Sequence, residues 1–204
     1  MKKLLLLSIV FALSVGVYAQ KFGIRGGANL ATMTGSADGF NDDKTGLLGI
    51  HLGVVYEMKL IPMIFIQGEM LYSQKGIYYE IAGGNYSKTT INYIEVPISG
   101  KIKLGPTPLY IIAGPYFAYA LSGKTKVKIG GVEASEDLKW KDAGIKRTDM
   151  GLNAGLGVRF GLGPIALFAE GRYGIGFADI NDDGTNETIK NRNLQFSTGI
   201  MIGL

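Results

Sequence analysis

Apolar and polar residues alternate with a period of two through most of the chain after residue 20. In "YIEVPISGKIKL", residues 93–104, Ile94, Val96, Ile98, Ile102 and Leu104 fall on one side, and Glu95, Ser99, Lys101 and Lys103 on the other. This is the pattern of a two-faced strand. The same count predicts eight strands, near 21–32, 46–57, 63–78, 90–104, 109–122, 149–161, 165–178 and 192–204. The connections alternate in length. Short links fall at "MKLIP", "GPTP" and "GLGP", where Gly and Pro supply turn geometry, and longer polar ones near 33–45, 79–89, 123–148 and 179–191. Four long connections at one end, with three short ones and both termini at the other, predict an all-β fold: an eight-stranded antiparallel up-and-down barrel.

Which face looks inward depends on what opposes the apolar residues. A soluble carrier would show scattered Lys, Glu, Asp and Thr outside, but here the second face is mostly glycine with occasional charges. The chain has 31 Gly against 6 Pro and only 19% charged residues, where soluble chains average about 25%. Glycine solvates a strand surface poorly, yet it suits the narrow interior of an eight-stranded barrel. Aromatic placement agrees: outward Tyr72, Phe117, Tyr119, Tyr173, Phe177 and Phe196 fall toward the long-loop end, and Phe22, Tyr56 and Phe160 toward the short-turn end. Two such girdles, short turns and long loops describe a transmembrane barrel of a bacterial outer membrane, its apolar face in lipid. The lumen would then hold Arg25, Glu69, Glu95, Lys101, Lys103, Arg159, Glu170 and Arg172, both signs together, as buried charges require.

The N-terminus supports export. "MKK", the apolar "LLLLSIVFALSV" and "GVYAQ" form the three regions of a signal peptide, with cleavage expected after Ala19. This divides the chain into a cleaved segment 1–19 and a barrel domain 20–204. Losing Lys2 and Lys3 takes the 21 basic residues to 19 against 17 acidic ones, so nucleic-acid binding has no electrostatic support. The chain has no cysteine, which excludes disulfides, thiolate metal sites and a cysteine nucleophile.

Candidate chemistry is sparse. His51, the only histidine, alternates with lipid-facing Ile50 and Leu52 and should point inward as a hydrogen-bonded lumenal residue. Glu69, Glu95 and Glu170 resemble acid–base catalysts, but basic residues at neighbouring inward positions make a structural network that plugs the lumen the better reading. "DINDDG", residues 179–184, opens like a calcium loop, but Lys190 stands where the bidentate Glu belongs. The segment "GKTKVKIGGVEASEDLKWKDAGIKRTD" mixes both charges around Trp140, the sole tryptophan. A basic patch with an aromatic suits an acidic polysaccharide or lipid headgroup, whereas "KVKIGGVE" reads as a hairpin turning at Gly130 and Gly131.

The segments "FGIRGGANLAT", "YIEVPISGKIKL", "YIIAGPYFAYALSGK" and "GLNAGLGVRFGL" make the chain similar to the PorT-like outer-membrane β-barrel family of Bacteroidetes. The resemblance spans the mature chain and implies a small eight-stranded barrel in the outer membrane, assembled by the barrel-insertion machinery. The expectation is a monomer with outer-membrane lipid around it, a side-chain-filled lumen, and no catalytic centre, cofactor or metal. Its role would be structural or surface-interactive, with any extracellular partner meeting loops 123–148 and 179–191. A narrow pore, a lipid-modifying enzyme and a soluble periplasmic lipocalin-like carrier stay open as alternatives.

Overall fold

The computed structural model describes residues 20–35, 44–81, 83–140, 144–181 and 188–203. The expected signal peptide, residues 1–19, lies outside them, as do residues 182–184 of the calcium-loop-like segment. Eight long strands close a ring: β1 (Gln20–Gly35), β3 (Leu47–Ile61), β4 (Ile64–Ile81), β5 (Asn85–Lys103), β6 (Leu109–Ile129), β8 (Thr148–Leu162), β9 (Ile165–Gly176) and β10 (Ile189–Gly203). The two-residue β2 (Lys44–Thr45) pairs with β4, and β7 (Val132–Asp137) pairs with β6. Each ring strand pairs antiparallel with its neighbour in sequence, and β1 meets β10 from Lys21↔Gly203 to Gly35↔Ile189. No edge remains within the ring, which a strand needs if it is to cross lipid.

The apolar face points outward. Val96, Ile98 and Ile102 of β5 and Leu104 just after it are exposed, while Glu95, Ser99 and Lys101 are buried. All nine girdle aromatics are exposed, from Tyr72, Phe117, Tyr119, Tyr173, Phe177 and Phe196 near one rim to Phe22, Tyr56 and Phe160 near the other. An apolar band on this scale has no place on a soluble carrier. Among the described residues no helix is long and apolar enough to cross a membrane.

One expected loop is a tight turn. The segment near 79–89 is mostly strand, because β4 runs to Ile81 and β5 begins at Asn85. Gly83 and Gly84 there take φ of 81° and 75°, the left-handed geometry that matches the twist of a hairpin and that glycine adopts without a steric cost. Gly130 and Gly131 turn β6 into β7 in the same way, with φ of 60° and 85°. β6 has 21 residues, about 70 Å of strand, whereas roughly 9–11 residues cross the apolar band. The excess of β4, β5 and β6, with β7 alongside, stands as a small sheet beyond the outer rim.

Pro97 leaves the register unshifted. The β4–β5 ladder runs from Gly68↔Ile98 to Leu71↔Glu95 without Val96 or Pro97, and the β5–β6 ladder from Pro97↔Tyr116 to Gly100↔Ala113 without Ile98 or Ser99. The second gap faces Pro115 on β6. Two missing N–H donors are therefore accommodated as local gaps, and the register shift falls at Asn92/Tyr93.

Candidate functional site: the charged lumen

The inward face alternates large polar side chains with glycines that leave them room. A Cβ on Gly157 would run into Tyr110 Oη, and one on Gly155 would lie 2.9 Å from Arg172 Cγ. Three charge clusters follow along the lumen.

The central cluster joins Arg25 of β1, Glu69 of β4, and Glu170 and Arg172 of β9. Arg25 Nη1 donates to Glu69 Oε2 at 2.8 Å and lies 3.1 Å from Glu170 Oε1. Arg172 donates through Nη2 to Glu69 Oε1 at 2.5 Å and through Nε to Glu170. Gln67 Nε2 donates to Glu69 at 2.6 Å and Tyr110 Oη to Glu170 at 2.9 Å. β9 and β4 stand opposite each other in the eight-strand ring, so the Arg172–Glu69 pair crosses the whole lumen. The cluster holds two guanidinium groups and two carboxylates and is neutral.

Nearer the outer rim, Lys75 Nζ lies 2.7 Å from Glu95 Oε2 and 3.4 Å from Asp149 Oδ2, over the Tyr116 ring at 4.3 Å. Tyr116 Oη (3.2 Å) and Asn191 Nδ2 (2.9 Å) donate to the same Asp149 oxygen. Nearer the short turns, Glu57 accepts from Lys101 Nζ at 2.8 Å and from Arg159 of the facing β8. Seven of the eight charged residues expected in the lumen are thus paired there, while Lys103 lies exposed at the short-turn mouth. Glu57, Lys75 and Asp149 complete the clusters, and their inward parity was the available signal.

His51 points inward, 1% exposed. Its Nδ1 lies 2.7 Å from Asn29 Oδ1 and its Nε2 2.8 Å from Ser197 Oγ, a Ser–His–Asn relay in outline. Ser197 also accepts a bond from Arg25 Nη2 and is itself buried. A substrate carbonyl has no approach to that hydroxyl, so the relay ties β1, β3 and β10 together.

Above the clusters the lumen turns apolar. Met33, Ile77, Ile91, Tyr93, Tyr116 and Ile180 pack together, with Leu138, Trp140, Ile145 and Ile189 folded against them. On the outer sheet Tyr86 donates to Glu133 at 3.0 Å. That bond and the neighbouring Lys126 hold the Glu133 carboxyl below its usual range. A cleft of about 600 Å³ on the outward side is lined by Lys88, Lys124, Lys126, Leu138 and Trp140. Among the described residues no group of three or more His, Asp or Glu side chains is placed to hold a metal ion.

The family described as outer membrane protein beta-barrel domain matches residues 18–182. No curated protein matches the chain in sequence. Among solved structures, a major outer membrane protein from Thermus thermophilus is similar over 91% of this chain and 100% of its own, at 14% identity and a TM-score of 0.50. Neisserial surface protein A (NspA) aligns over 90% of this chain and 97% of its own at 15% identity, with a TM-score of 0.47. Ail, the attachment invasion locus protein of Yersinia pestis, aligns over 90% and 99% at 15% identity, with a TM-score of 0.44. At these identities the likeness is one of fold.

Proposed function

The chain belongs to the outer membrane protein beta-barrel domain family, and from that premise we propose that it is a closed, non-catalytic membrane platform that holds an extracellular β-sheet at the cell surface. The observation that carries this reading is the lumen itself. Ion pairs cross it from wall to wall at Arg172–Glu69 and Arg159–Glu57, and an apolar cluster fills it above them. Among the described residues these contacts close the lumen at its centre and outer half, so interaction at the cell surface falls to what projects. That is the sheet formed by the ends of β4, β5 and β6 with β7, whose tip residues Ile129 and Val132 are 63% and 73% exposed. The lysine-lined cleft beside Trp140 gives this sheet a surface suited to acidic polysaccharide or lipid headgroups.

The four segments of PorT-like character support placing the chain in that group of Bacteroidetes barrels, as a monomer inserted by the barrel-assembly machinery. Surface display is tested by cysteine labelling, since the chain has no cysteine of its own. Ile129→Cys should react with a membrane-impermeant maleimide on intact cells, and Met63→Cys, at a short turn, only after lysis. The reverse pattern would invert the topology and remove the proposal.

A further inference from the structure

The charges of the lumen are unevenly distributed. The outer cluster has one cation against two carboxylates, the central one is balanced, and the cluster nearest the short turns has Lys101 and Arg159 sharing the single carboxylate of Glu57. Beyond it, at the short-turn mouth, Lys21, Lys59 and Lys103 occupy inward positions of β1, β3 and β5 and make no ion pair with a described carboxylate. All five cations line one cavity of about 330 Å³ against Tyr110. Five positive charges thus face one negative charge. Arg159 Nε is in addition a buried donor without a partner. The central ion pairs and the apolar cluster close the lumen above this cavity, so it is a blind vestibule open toward the periplasm.

We propose that this vestibule is a binding site for a small multivalent oxyanion of the pyrophosphate class, taken up from the periplasmic side. Lys59, Lys103 and Lys21 supply mobile ammonium groups at the mouth. Arg159 and Lys101 supply fixed donors at the floor, where Glu57 and Tyr110 hold them. Low-dielectric walls strengthen the attraction relative to an open lysine patch, and the volume excludes polymers. Because the site is closed above, the anion is held and not passed through.

The test is calorimetric titration of inorganic pyrophosphate into the purified barrel in a lipid-free, non-ionic detergent at low salt. Saturable one-to-one binding is expected, at least tenfold weaker in Lys59→Gln/Lys103→Gln and unchanged in Lys128→Gln/Lys139→Gln on the outer sheet, lysines that line neither this vestibule nor the outer cleft. Lys21→Gln, a single change at the mouth, is the second variant and should weaken binding severalfold. Absence of saturable heat with the unaltered chain, or equal loss in the outer-sheet variant, would overturn the proposal.

Discussion

Glu69→Gln is the most informative single change in the lumen. Glu69 accepts from Arg25 (2.8 Å), Arg172 (2.5 Å) and Gln67 (2.6 Å), and it is the far-wall partner of Arg172. The amide keeps one acceptor oxygen but turns an NH2 group toward a guanidinium that itself only donates. One arginine loses its acceptor and the other keeps only a neutral one, so two bonds to a carboxylate are lost or weakened, at up to about 1.5–3 kcal/mol each, and the central cluster is left with two cations and only Glu170. The resulting range, about 3–6 kcal/mol, overlaps the roughly 3–5 kcal/mol usual when one partner of a buried ion pair is removed. A loss of about 3–5 kcal/mol is therefore expected. It measures the cost of two buried guanidinium groups sharing the one carboxylate of Glu170, which is larger than the net worth of the pair. Denaturant unfolding in lipid vesicles, followed by Trp140 fluorescence and by the heat-dependent gel shift, reads it. Arg172→Gln added to Glu69→Gln restores neutrality, so the double variant should be less destabilised than the sum of the singles by more than about 1 kcal/mol. A single-variant loss below about 1 kcal/mol, or strict additivity, would refute the cross-lumen network.

Glu95→Gln should cost less, about 1–2 kcal/mol, because Lys75 keeps Asp149 at 3.4 Å and the outer cluster goes from net negative to neutral; a loss as large as that of Glu69→Gln in the same unfolding assay would contradict this ranking. Gly157→Ala puts a methyl group against Tyr110 Oη, displacing the bond to Glu170, and should destabilise by about 1–3 kcal/mol; an unchanged unfolding midpoint would show that the glycine is not making room. In the outer loop, the amides of Ile189 (2.9 Å) and Asn181 (3.0 Å) donate to Asp179 and hold its carboxyl below its usual range. A carboxyl lowered on folding stabilises above its unfolded pKa of about 3.9 and loses that contribution as pH falls through its folded value. The exchange protection factor of the Ile189 amide should therefore drop on acidification below about pH 4, and a drop of equal size in Asp179→Ala would remove Asp179 as the cause.

Alternation, glycine content and aromatic placement made the barrel and its inverted faces legible, because each acts through local spacing. Val96 and Ile98 outward with Glu95 and Ser99 inward is a matter of period alone. The partners were less legible. Arg172 finds Glu69 on the opposite wall, 103 residues away in sequence, and no local pattern encodes a diametric contact. Glu57 and Asp149 fall at the ends of their expected strands, where parity gives the face but not the partner across the lumen. The segment near 79–89 is polar because its strands stand in water beyond the membrane, so polarity there marked exposure and not a loop. Pro97 and Pro115 each remove one ladder donor, and the pairs on either side keep the register.

Planar-bilayer recording tests the central claim, a lumen closed by wall-to-wall ion pairs under an apolar plug, most directly. Purified refolded protein inserted at low salt should give a flat trace at all voltages, and Glu69→Gln, if it still inserts, only brief openings. Stable conductance steps from the unaltered chain would show a continuous path through the barrel and contradict the closed-platform account.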